Sequence, residues 1–127
     1  MTGEARDRHR GAALGLRLLA AFLAAHILVA LFATLTKTLP AWTFAGHLLF
    51  GAGWILFLLR SAKQAVEGRR VAQAAAFLVL YGIVGVGMAT VAVGPYIAAS
   101  GAGDVRLALV AHALVYAVAA ALVFRAL

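Results

Sequence analysis

Four apolar runs alternate with short polar stretches along the chain, at about residues 14–36, 41–59, 71–93 and 107–124. The second run carries no formal charge over its nineteen residues. At ~1.5 Å per residue such a helix covers ~28 Å, close to the ~30 Å hydrocarbon core of a bilayer. The first run is uncharged over 18–36, and Arg17 near its start can snorkel back to headgroups. Lys37, Pro40 and Trp42 mark an interfacial turn, because Pro suits a first helical turn and Trp an aromatic belt. The polar stretch 60–70 carries four basic residues and one acid. Gly94-Pro95-Tyr96 closes the third run, and a glycine-rich stretch with Asp104 and Arg106 precedes the fourth. Four helices on short connections predict an all-α integral membrane fold, an antiparallel up-down four-helix transmembrane bundle. Residues 1–10 form a basic tail ahead of a single transmembrane domain, 11–127. The apolar run after Arg17 is too long for a cleavable signal peptide.

Composition agrees with the pattern. Hydrophobic residues make up 65% of the 127 and charged ones 12%, about half the ~25% usual in globular domains. There is no cysteine, which excludes disulfides, thiolate metal sites, Fe–S clusters and covalently attached haem. The net charge of +7 collects at segment ends, which indicates topology and contact with anionic lipid rather than nucleic acid. The tail, Arg17, the 60–70 stretch and Arg125 hold nine Lys/Arg on one side, against Lys37 and Arg106 on the other. By the positive-inside rule both termini are cytoplasmic, and the expected location is the inner (plasma) membrane.

All four acids, Glu4, Asp7, Glu67 and Asp104, fall outside the apolar runs. A proton-coupled transporter or channel usually needs a carboxylate at membrane depth, so that class is disfavoured. Histidine is the strongly functional side chain expected to be buried in the runs. His47 lies about 8 Å below the outer interface and His112 about 9 Å, while His26 is roughly 16 Å down. Two level imidazoles on two helices can ligate one haem iron, with the porphyrin standing between the helices. Small residues would admit the macrocycle: Gly51 lies one turn after His47, and Gly82 and Gly85 share a face of the third run. His26 would be a neighbouring group, a propionate partner or an alternative ligand. The plainer alternatives are that each histidine is an interhelical hydrogen-bonding group, and the glycines packing contacts. Zinc or copper is disfavoured, since no carboxylate, thiolate or nearby second histidine completes a ligand set. Tyr81, Gln73 and Met88 are expected to face the interior without an assigned role. No nucleophile–base pair shares a depth, so bond-making catalysis has no support.

Four spans with His47 and His112 on the second and fourth resemble the bacterial four-helix b-type cytochromes, including membrane subunits that pass electrons to quinone. That resemblance implies haem b, electron transfer, and a quinone or other redox partner. The histidines that would hold a second, cytoplasmic haem are absent, so one haem near the outer face is implied. Gly46-His47-Leu48-Leu49-Phe50-Gly51 and Ala111-His112-Ala113-Leu114 are similar to motifs of a family of small uncharacterised bacterial membrane proteins of like length. The expectation is therefore a b-type haem protein for electron transfer, with His47 and His112 as axial ligands. Its alternative is an accessory subunit of a larger membrane complex or homo-oligomer, docking through Ala113, Ala117, Ala120 and Ala121.

Overall fold

The computed structural model describes residues 3–36, 41–87 and 103–127. Among them the chain is all-helical: α1 is Gly3–Leu35, α2 Ala41–Val66, α3 Val71–Tyr81, and α4 Gly103–Phe124. α3 runs on into a π-helical segment, Gly82–Gly87. Two stretches are long and apolar enough to cross a membrane, Gly3–Phe32 and Phe44–Val66; Val71–Gly85 and Leu109–Phe124 are shorter apolar helices.

Helix ends depart from the apolar pattern in two places. α1 begins at Gly3, so the basic stretch is helical and continuous with the first apolar run. Glu4 in its first turn complements the helix dipole. α2 continues past Arg60 to Val66. Ser61, Ala62 and Ala65 are buried there, and alanine favours helix, so packing carries the helix through charges that hydropathy reads as a loop. The actual turn is short. The N–H groups of Glu67, Gly68 and Arg69 bond to carbonyls of Gln64 and Ala65, and Gly68 (φ 68°) and Arg70 (φ 56°) take left-handed conformations. Residues 88–93 of the third apolar run, with Met88, lie outside the described residues, as do Gly94-Pro95-Tyr96.

α1 packs along both α2 and α4, and α3 touches α2 and α4. The core gathers at one end of the bundle. Leu16 and Leu19 of α1, Leu58 of α2, Leu78 and Tyr81 of α3 and Val123 of α4 are almost fully buried, among alanines from all four helices. Small residues allow close approach: a Cβ on Gly15 would stand 3.0 Å from the Ala119 Cα and 3.2 Å from its carbonyl oxygen. α1 and α4 therefore meet backbone to backbone there. The opposite surface is apolar and open, with Leu28, Val29, Phe32, Trp42, Leu49, Phe50 and Leu56 all exposed.

Candidate functional site

Where α1, α3 and α4 converge, a cluster of imidazole and phenol side chains gathers around the buried His112. His112 is 7% exposed and Tyr81 2%. Tyr81 Oη and His112 Nε2 are hydrogen-bonded at 2.5 Å, linking α3 to α4. His26 of α1 faces His112 with ring centroids 5.7 Å apart, the planes tilted by 44°. Phe22 packs on both imidazoles, at 4.8 Å from His26 and 5.5 Å from His112. Tyr116 closes the α3–α4 contact by donating its hydroxyl to the Leu78 carbonyl at 2.9 Å. Gly82 makes this possible, because a Cβ there would collide with the Tyr116 hydroxyl. The aromatic packing continues along α2 and α3: Tyr81 meets Trp54 edge-on at 4.9 Å, and Trp54 meets Phe77 at 4.6 Å.

Of the residues singled out by sequence, the structure joins His26 and His112. His47 lies on an exposed face of α2. The space beside Gly51 is filled by Ile27, whose Cδ1 would stand 2.7 Å from an added Cβ. The space beside Gly85 is filled by the Tyr81 ring, 2.9 Å from such a Cβ. Both glycines thus serve packing in this fold. Gln73, expected in the interior, is exposed.

Sequence reasoning left Tyr81 without a role, yet it makes the shortest polar contact of the site. A usable signal was present. Tyr81 is the hydroxyl-bearing residue in the middle of the third apolar run, ten residues past Val71 and so about 15 Å along it. Buried tyrosine hydroxyls usually find a partner, and His112 is the buried imidazole on the next helix.

The donor set is two imidazoles and a phenol. Imidazole is the usual axial ligand of haem iron. Two imidazole nitrogens each ~2.0 Å from a shared metal ion put the ring centroids about 6 Å apart, and His26 and His112 stand at 5.7 Å. As the side chains stand, Nε2 of His112 is held by Tyr81 of α3 and Phe22 packs on both imidazoles, so a metal shared by the two rings would require both side chains to move. Beside Phe22, between α1 and α4, runs an apolar groove lined by Leu18, Leu114, Val115 and Val118. No three His, Cys, Asp or Glu side chains among the described residues converge to hold a metal by themselves.

No protein-family model matches the sequence, and no protein of curated function or solved structure is similar to it. The class defined by the fold is accordingly broad: among the described residues the protein is all-helical, with four α-helices, two of them long and apolar enough to cross a membrane.

Proposed function

We propose that this is an integral protein of the inner membrane, an antiparallel up-down bundle with both termini cytoplasmic, which transfers electrons by binding one b-type haem through His26 and His112. Three observations support the membrane setting. Large apolar side chains are open to the surroundings, among them Phe32 at 69% and Leu49 at 79%, and water disfavours apolar surface on that scale. The buried core joins the N-terminal part of α1 to the C-terminal parts of α2 and α4 and to the start of α3, as alternating helix directions require. The nine-to-two split of Lys and Arg supports the orientation with both termini cytoplasmic.

The observation that carries the haem reading is the facing pair of imidazoles on adjacent helices at 5.7 Å. On this reading His26 and His112 would hold the group, in place of the His47 and His112 expected from the sequence. Bound haem iron would supply a one-electron couple. The chain's own residues supply the two nitrogens, an apolar wall at Leu18, Leu114, Val115 and Val118, and a competitor, since Tyr81 holds the nitrogen that His112 would offer. A quinone or a larger redox complex is the partner such a protein requires.

A second reading has its own observation. Tyr81–His112 and Tyr116–Leu78 are two hydrogen bonds fastening α3 to α4, while Ala113, Ala117 and Ala121 line an exposed strip of α4 at one-turn spacing. A small-residue strip of this kind packs closely against another helix in lipid, which describes an accessory subunit with a purely structural polar cluster. Titration of the detergent-purified protein with haemin separates the two. A saturable Soret band at one haem per chain supports the haem reading. An unchanged haemin spectrum at every ratio, with co-purification in a stable complex, establishes the accessory role instead.

A further inference from the structure

We propose that the cleft between the C-terminal end of α2 and the start of α3 is a binding site for a phosphate group. The cleft holds about 160 Å³ and is walled by Phe57, Arg60, Ser61, Gln64, Arg70 and Gln73. Its chemistry is one-sided. Two guanidiniums contribute only donors, and a hydroxyl and two amides add more. No carboxylate lines it. The nearest acid in the chain, Glu67, is paired with Arg69, and among the described residues neither Arg60 nor Arg70 has a carboxylate partner. An uncompensated pair of arginines beside a buried serine (Ser61 is 7% exposed) suits a tetrahedral oxyanion, because the planar guanidinium fork matches two of its oxygens.

The backbone is arranged in the same sense. Arg70 is the N-cap of α3, and its guanidinium, a donor without an acceptor, cannot cap the helix N–H groups. It sits at φ 56°, a conformation that favours glycine or asparagine, and here an arginine is held in it at the mouth of the cleft. The first N–H groups of α3 follow directly, and the positive end of the helix dipole adds to the arginine charge. Phe57 gives the inner wall an apolar surface.

A phosphate of this kind has two sources, the headgroup of an anionic phospholipid or a free phosphate. On the membrane reading above, the cleft lies at the cytoplasmic end of two spans, level with headgroups. The phosphate chemistry itself does not depend on that reading, so the two fail separately.

The test uses the full chain purified in non-ionic detergent, with thermal unfolding followed against three additives: short-chain phosphatidylglycerol, dioctanoylglycerol lacking the phosphate, and inorganic phosphate at constant ionic strength. The expected result is a saturable rise in melting temperature with phosphatidylglycerol and none with dioctanoylglycerol. Arg60→Gln and Arg70→Gly should each weaken that response at least tenfold, and Arg125→Gln, an exposed arginine on the chain end after α4, should leave it unchanged. Arg70→Gly suits the left-handed turn, so the unliganded variant should melt no lower than the wild type and loss of binding there is not loss of fold. Competition by millimolar inorganic phosphate identifies a free phosphate as ligand; its absence, with the lipid still binding, identifies the headgroup. Equal stabilisation by dioctanoylglycerol and phosphatidylglycerol, or wild-type responses in both arginine variants, would overturn the proposal.

Discussion

Tyr81→Phe removes one oxygen from the centre of the bundle and little else. The ring contacts with Trp54 at 4.9 Å and Tyr116 at 5.9 Å survive. What is lost is the 2.5 Å bond to His112 Nε2, and His112 is too buried for water to take the place of the hydroxyl. In water-soluble proteins a stranded buried group costs about 1–3 kcal/mol. Between membrane helices such bonds average only ~0.6 and reach ~1.7 kcal/mol, because the unfolded chain in the bilayer also finds partners. Near-complete burial of both partners puts this bond toward the upper end, so the expected loss is about 1–2 kcal/mol. Tyr116→Phe is the internal control. Its hydroxyl donates to the Leu78 carbonyl, which also accepts from the Gly82 N–H. That carbonyl stays paired, and the loss should be below about 0.6 kcal/mol. Reversible unfolding in mixed micelles measures both. Haem affinity should move the other way: freeing Nε2 of His112 should tighten binding in Tyr81→Phe while stability falls. A Tyr81→Phe protein no less stable than Tyr116→Phe would refute the argument that this bond fastens α3 to α4.

Gly15→Leu should disrupt the α1–α4 contact, since even a Cβ there stands 3.0 Å from the Ala119 backbone. Unfolding should show a loss of several kcal/mol, beyond the ~1–3 kcal/mol typical of overpacking, whereas Gly46→Leu, which meets nothing within 4 Å, should be neutral. Reporter fusions after residues 66 and 127 should both show cytoplasmic activity, and periplasmic activity at either would refute the assigned topology.

Much of the fold was legible because apolar runs and turn chemistry report on helix existence. The four runs correspond to α1–α4 among the described residues, and helical rise gives a histidine a height along its run. What depth does not carry is azimuth. His47 and His112 were matched by height, but each helix is apolar nearly all round, so no polar face reveals which way a histidine points. The bundle brings the His26 ring to 5.7 Å from that of His112, a neighbour that height alone did not select. The extension of α2 to Val66 was hidden for a related reason: Arg60 and Lys63 read as interface, while the small residues beside them, Ser61, Ala62 and Ala65, were already packing inside. Tyr81 was visible as a candidate, and only the α3–α4 contact supplied its partner.

The central claim is that His26 and His112 form the haem-ligating pair, with His47 outside it. Reduced-minus-oxidised spectra of haem-loaded wild type, His26→Ala, His112→Ala and His47→Ala test it most directly. A low-spin bis-imidazole spectrum should persist in His47→Ala and be lost in each of the other two. Loss in His47→Ala with retention in His26→Ala would contradict the account.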